Sequence, residues 1–600
     1  MAPPLRPVTA GHPGRGGAGA LRAGSLLRPG GLLRYVPALT LSLFLAPIAA
    51  GLVGTWLPAF GWLPALGGQS FGLSAWRALF AAPELPGAVA LTLGTGILAT
   101  VLSFALAVGF CAACHGTRSF AWLRHVLAPL LAVPHAAVAI GLAFLVAPSG
   151  WIARLLSPWA TGWETPPDLA VVRDPYGLSL VLGLVLKETP YLLLMSLGAL
   201  GQVQAERAVA VARALGYGPA TAWLKAVLPQ IYPQIRLPLY AVLAFSLSVV
   251  DVALVLGPGT PPPLAPLLLR WFNDPDLTMR FQAAAGAGLQ LVLVAAAIAL
   301  WAGGERLVGR LARPWLSSGG RGGAGESLAR RVIGGVTAGL IGAAALCLAG
   351  LAVWSVADRW RYPDPLPTTW TLGNWQRHVE ALAWPAWTTL MVGLAAAAVA
   401  TALVLGCLEN EQRHGLRPSA RGLWLLYAPL MVPQVSFLFG AQVLLVRLGL
   451  DGTWPALVWS HLLFVLPYVF LSLADPYRAL DERYARTALC LGASPARVFW
   501  RVKLPMLLRP VLVAFAIGFA VSVSLYLPTL FAGGGRYATL TTEAVSLAAG
   551  ADRRVVGVYA FLQAMLPLLA FAAALALPAA LRRRRPRRAM RRGSGSEGAG

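Results

Sequence analysis

The stretch Ala205–Pro229, AERAVAVARALGYGPATAWLKAVLP, decides how the rest of the chain is read. It stands between two long apolar runs, yet it carries Glu206, Arg207, Arg213 and Lys225, which do not belong in a hydrocarbon layer. Its punctuation is that of two short helices. Residues 203–215 suit the first. Gly216 suits a left-handed C-cap, which costs least for glycine. Pro219 suits the first turn of the second helix, where its missing N–H costs nothing. Leu228-Pro229 ends that helix before the next apolar run. A helix–turn–helix at a membrane surface is predicted, not a span.

The stretch recurs. Asp481–Pro505 reads DERYARTALCLGASPARVFWRVKLP, and at a single offset of 276 residues Glu206 matches Glu482, Ala212 matches Ala488 and Gly216 matches Gly492. Pro219 matches Pro495, Leu228-Pro229 match Leu504-Pro505, and Ser494 supplies an N-cap in the second copy. Upstream, Pro190-Tyr191 pair with Pro467-Tyr468, and further back TLGTGILATVLSFALAVG resembles TLMVGLAAAAVATALVLG at an offset of about 297.

Outward from the repeat, the 600 residues are 57% hydrophobic and only 12% charged, against about 25% charged in soluble domains. The chain is read as an all-α polytopic membrane protein. About 20 apolar residues make a span, which gives twelve: 35–57, 86–110, 122–146, 178–200, 238–257, 283–303, 332–356, 387–408, 422–446, 455–474, 510–531 and 557–581. Six is even, so the two copies are parallel repeats about an axis along the membrane normal. The expected domains are a basic tail 1–34, a first six-span repeat 35–303, a basic linker 304–331, a second repeat 332–581 and an Arg-rich tail 582–600.

The net charge of +25 does not form a nucleic-acid footprint; basic residues punctuate the ends of apolar runs. Arg6, Arg15, Arg22, Arg28 and Arg34 precede any acid, and Arg582–Arg585 with Arg587, Arg588, Arg591 and Arg592 close the chain. Both termini, the linker and both repeated loops are therefore placed in the cytoplasm, with the tail held on anionic lipid. The long Arg-, Gly- and Pro-rich head argues for a retained first span over a cleaved signal peptide. Five cysteines make no regular framework.

The two loops resemble the EAA loop of ABC-importer permeases: a Glu, small residues, a Gly, then an apolar stretch ending in Leu-Pro. The first copy departs mildly, with Arg-Ala-Val where the family often has Ala-Ala. Fused permeases with two such loops are similar to the iron(III)/thiamine/polyamine-type branch. The resemblance implies that Glu206, Ala212, Gly216, Pro219, Leu228 and Pro229, and Glu482, Ala488, Gly492, Pro495, Leu504 and Pro505, form coupling helices. These would dock in a separate cytoplasmic ABC ATPase, expected as a homodimer. It implies an exported solute-binding protein on the far side and a bacterial inner-membrane location. Only Lys187, Lys225 and Lys503 are present, and none sits in a P-loop pattern, so ATP hydrolysis is expected on another subunit.

Other constellations are weaker. Cys111–Cys114–His115 matches a haem-attachment pattern, but at the cytoplasmic end of a span; it is read as small residues at a helix end, and neither cofactor nor metal is expected. Intramembrane polar groups are candidates for the translocation path: Asp251, Glu188 beside Lys187, and Gln434 and Gln442. Lys187 and Glu188 are adjacent on a helix and so do not face each other. The alternative is a secondary active transporter of two parallel six-span halves. It would show charge pairs within spans and no repeated surface loop.

Overall fold

The computed structural model describes residues 31–322, 325–416 and 420–593. The basic head up to residue 30 and the last residues 594–600 lie outside them. Apart from two short antiparallel ribbons, Trp62–Leu63 with Gly68–Gln69 and Ala357–Arg359 with Thr369–Trp370, the described residues fold as helices and connectors. The membrane-scale helices are α1 (Val36–Ala59), α2 (Leu85–Cys114), the pair α3 (Arg118–Ala132) and α4 (His135–Val146), and α5 (Leu178–Leu200). The first loop holds α6 (Ala205–Ala214) and α7 (Pro219–Ala226). The pair α8 (Leu228–Ser248) and α9 (Asp251–Leu256) follows, then α10 (Met279–Ser317).

The second half repeats this order: α11 (Glu326–Val356), α12 (Gly373–Arg413), the pair α13 (Ala420–Met431) and α14 (Val435–Arg447), and α15 (Trp454–Arg478). Its loop holds α16 (Glu482–Cys490) and α17 (Pro495–Val498), followed by the pair α18 (Leu508–Ser524) and α19 (Leu527–Gly533), then α20 (Arg553–Gly593).

Among the described residues nine helices are long and apolar enough to cross a membrane, or up to eleven if each of two bent pairs is one span. Twelve continuous spans were expected. The three that fall short are the fifth span of each half and the third of the second half. In the first half the third passes as His135–Leu156, although its expected range is broken too, and the second bent pair is Pro495–Met506 with Leu508–Ser524, at 76°. The third breaks at Val133-Pro134 and again at Val432-Pro433, where the two arms α13 and α14 meet at 92°. A residue before proline is pushed out of the helical region, and Val133 is extended with ψ 130°. The fifth breaks at Val249 (ψ 137°) and at Leu525 (ψ 119°), which occupy the same place in the two copies. Broken backbone at membrane depth is tolerated only where protein or a cavity covers it.

Most of 304–331 is helical, because α10 runs on to Ser317 and α11 starts at Glu326.

The halves interleave. α1 lies along α14 of the second half, and α11 lies along α4 of the first. Small residues permit both approaches. A Cβ on Gly440 would overlap the Gly51 carbonyl, and one on Gly141 would stand 2.7 Å from the Cys347 carbonyl oxygen. The Thr55 hydroxyl accepts from the Gly440 N–H at 3.1 Å, fastening the first of these crossings.

Candidate functional site

The two loops fold to the same turn. In the first, Gly216 has φ +87°, its N–H donates to the Arg213 carbonyl at 2.9 Å, and the Tyr217 N–H donates to the Ala212 carbonyl at 3.2 Å. In the second, Gly492 has φ +81°, its N–H donates to the Leu489 carbonyl at 3.0 Å, and the Ala493 N–H donates to the Ala488 carbonyl at 3.0 Å. Both are Schellman stops, with the orphan carbonyls of the helix end satisfied by the two residues after it. The repeated alanine, Ala212 or Ala488, is the residue whose carbonyl closes the motif, and the small side chain leaves it half-exposed. Pro219 and Pro495 then open the second helix at its first position.

Support for the turn differs between copies. In the first, Trp223 and Val227 are fully buried under the loop. From outside, the segment between α10 and α11 lies across it. Gly218 N–H donates to the Arg321 carbonyl at 2.7 Å. Lys225 Nζ donates to the Ser318 carbonyl at 2.9 Å and lies 5.1 and 4.9 Å from the ring centres of Tyr217 and Trp315. Glu326 receives the Ala220 N–H at 3.1 Å, the Thr221 N–H at 3.2 Å and the Thr221 hydroxyl at 2.6 Å.

In the second copy the anchor is ionic and internal. The chain widens into a π turn over Phe499–Lys503, and the buried Lys503 ammonium reaches Glu409 Oε2 at 2.7 Å and Gln412 Oε1 at 2.8 Å. Glu409 also accepts from Tyr477 Oη and from Arg413 at 2.6 Å, and Arg413 donates onward to the Pro495 carbonyl at 3.2 Å. Arg478 holds Glu411 with two bonds of 2.7 and 2.8 Å.

The outer surfaces match again. Glu206 and Glu482 are exposed on the first turns of α6 and α16, and Glu482 pairs with Arg486 at 2.6 Å. The leucine before each glycine stands in solvent, Leu215 at 62% and Leu491 at 83% exposure. Beside Glu206 a cavity of about 560 Å³ opens between His115, Phe120, Leu197 and Gln204. Burial there holds the His115 imidazole below its ordinary pKa, and Glu206 pulls it the other way. Cys111 and Cys114 are buried in the helix end beneath it. Among the described residues no three His, Cys, Asp or Glu side chains converge as a metal site.

At membrane depth, Lys187 and Glu188 have separate partners, both at the α3–α4 break. Lys187 Nζ donates to the Val133 carbonyl at 2.7 Å and the Leu130 carbonyl at 3.3 Å, and Glu188 Oε1 meets His135 Nε2 at 3.3 Å. Asp251 opens α9 immediately after the fifth-span break and lies within electrostatic reach of His135. Tyr526, at the equivalent break of the second half, is within reach of Asp251, and Tyr191 and Tyr468 are within reach of Glu188. Gln434 takes the position in its half that His135 takes in the first, and Gln442 lies half-buried further along α14. Among the described residues neither glutamine hydrogen-bonds to Glu188 or Asp251. The structure thus brings the first-half candidates together and leaves the two glutamines apart.

Sequence reasoning missed His135, Glu326, Glu409 and Tyr477. Lysine scarcity was a usable signal for the second anchor, since a lone Lys503 amid arginines invites the question of what it pairs with.

Residues 398–585 match the family described as binding-protein-dependent transport system inner membrane component. The chain is 34% identical to the inner membrane ABC transporter permease protein YnjC of Escherichia coli K12 over 512 residues, 83% of this chain and 89% of that protein. It is 28% identical over 160 residues to the putrescine transport system permease protein PotI of the same strain, 25% of this chain and 57% of PotI. It is 29% identical over 192 residues to the molybdenum transport system permease protein ModB of Mycobacterium bovis, 28% of this chain and 70% of ModB.

Proposed function

The chain belongs to the binding-protein-dependent family of ABC transporter permeases, and from that premise we propose that it couples a separate ATPase to solute import through its two repeated loops. Family membership sets aside the secondary-transporter alternative and makes the chain a multi-pass inner-membrane transport subunit with an ATPase and a solute-binding protein as partners. Each half, 35–303 and 332–581, is a six-span repeat with both termini in the cytoplasm. α6–α7 and α16–α17 are the coupling helices, one for each subunit of an ATPase homodimer.

The observation that carries this reading is the repeated surface: a left-handed glycine turn with an exposed leucine at its corner, Leu215 or Leu491, and an exposed glutamate on the first turn of the helix that the turn ends. An apolar knob on a rigid turn suits a groove, because an exposed leucine gains by leaving water. Each loop runs directly into a fifth span that is broken further on, so a displaced loop moves one arm of that span against the other. The break places Asp251 at the joint. Asp251 is assigned to the path on this basis and Glu188 by its pairing with His135, Gln434 and Gln442 by their polarity alone, and the binding protein would meet the opposite end of the bundle. Coupling of this kind is a population shift between two access states driven by differential contacts at the loops.

The test is ATP turnover by the complex of this chain with the ATPase that co-purifies with it. Gly216→Val combined with Gly492→Val is expected to lower turnover at least ten-fold with the complex still assembled. Unchanged turnover in an intact complex would show that the loops do not couple.

A further inference from the structure

The first loop lacks something the second has. Ser494 caps α17, its hydroxyl accepting the Arg497 N–H at 3.3 Å. The matching residue at the start of α7 is Gly218, which has no side chain to cap with. The backbone is the same in both places, φ −63° and ψ 155° at Gly218 against φ −66° and ψ 153° at Ser494. The missing cap is supplied from elsewhere in the chain. The Glu326 carboxylate takes the Ala220 and Thr221 N–H groups and the Thr221 hydroxyl. It occupies the space a side chain at 218 would need: a Cβ on Gly218 would stand 2.5 Å from both carboxylate oxygens. Gly322 closes the other side, where a Cβ would also overlap the carboxylate and would stand 2.7 Å from Thr221 Oγ1. Two glycines, one in the loop and one in the linker, thus form the cradle for one acid.

We propose that the linker between the halves is a working part of the first coupling loop, with Glu326 as a positioning residue that caps α7 in trans and, with Ser318 and Trp315 at Lys225, holds the loop to α10 and α11. This rests on the coupling role assigned to that loop above, and adds that its geometry is set by the linker. The second loop needs no such strap because Ser494 caps it in cis and the Glu409–Lys503 group anchors it. A carboxylate at a helix start also meets the positive end of the helix dipole, which a serine hydroxyl does not exploit.

The geometry supplies its own rescue. Glu326→Ala removes the cap, Gly218→Ser alone collides with the carboxylate, and the two together place a serine in the emptied space on a backbone that already suits it. The full chain is reconstituted in nanodiscs with its co-purifying ATPase, and two quantities are read: hydrogen exchange of the Ala220 and Thr221 amides, and MgATP turnover. Glu326→Ala is expected to speed exchange about five-fold, the weight of one N-cap, and to lower turnover. Gly218→Ser/Glu326→Ala is expected to return both to within two-fold of the parent, and Glu326→Gln to fall between. Ser494→Ala leaves the 220–221 amides unchanged. Exchange unaffected by Glu326→Ala, or not restored in the double variant, overturns the proposal whatever turnover does. Exchange that follows the cap while turnover stays constant upholds the strap and instead refutes the coupling role of the loop.

Discussion

The loop that ends at Pro229 is braced from outside by the linker and packed beneath by a buried tryptophan, whereas the loop that ends at Pro505 is fastened from within by an ion cluster at the end of α12. The place filled by Lys503 in the second copy is filled by Val227 in the first, so one copy uses charge where the other uses packing. What the copies keep is the turn: glycine in the left-handed region, alanine beneath it, proline after it and leucine at the corner. The comparison teaches that the shape of this surface is held in common while the means of holding it is not. On the docking role proposed above, the turn has to be rigid and presented at a set angle, and different supports meet that need.

The comparison can be broken most severely at the two anchors. Lys503→Ala leaves Glu409 buried with part of its partner set gone, a loss of about 3–5 kcal/mol for a broken buried pair. Trp223→Ala opens a cavity under the first loop at a similar cost of about 3–5 kcal/mol. Hydrogen exchange over each loop checks both, and each change is expected to loosen its own loop and leave the other as it was. Loosening of both loops by either substitution would show that the anchors are not independent.

A smaller and symmetric effect is expected at the shared turn. Gly216→Ala and Gly492→Ala each force a side chain into the left-handed region, costing about 1–2 kcal/mol. The two should be equal within error, apart from the Arg321 side chain, which stands 3.3 Å from a Cβ at 216. Melting of each purified variant under one detergent condition measures the difference. Unequal costs would mean that the turn is strained in one copy only.

The smallest effect separates the outer faces. Lys225→Ala loses the Ser318 contact and two ring contacts, about 0.5–1 kcal/mol at an exposed site, read as faster exchange in 318–322. Arg501→Ala, the matching change, is exposed and is expected to alter exchange in the second loop by less than two-fold. A larger effect at Arg501 than at Lys225 would remove the outer brace as a distinguishing feature.

Much of this was legible in the sequence, for reasons that also mark where legibility stopped. The helix–turn–helix, the two left-handed glycines and the proline starts are local chemistry, and twenty-five residues suffice to read them. The twelve apolar runs identified the membrane class, because length and hydropathy suffice for that. Runs of hydropathy carry no direction, however, so the bends at Pro134 and Pro433 and the breaks at Val249 and Leu525 did not register, although the Val-Pro pairs were present as a signal. Support from afar was the least visible. Thr221 and Glu326 are 105 residues apart and Glu409 and Lys503 are 94 apart, and nothing in a local window links them. At the path candidates, the pairing of Glu188 with His135 depends on the α3–α4 break and was hidden with it, while Gln434 and Gln442 were singled out by polarity alone and found no shared partner.

The central claim is that both loops face the ATPase, and one residue already reports on it. Cys490 is exposed at the end of α16, beside Leu491, whereas Cys111, Cys114 and Cys347 are buried and Cys407 is partly so. Ala214 is the matching exposed position of the first loop. Maleimide labelling of Cys490, and of an Ala214→Cys variant carrying Cys490→Ser, is measured in inside-out vesicles with the ATPase bound and after it is stripped off. The bound ATPase is expected to slow labelling at both positions at least ten-fold, and stripping it to restore the rate. Equal labelling with and without the ATPase, at either position, would contradict the claim.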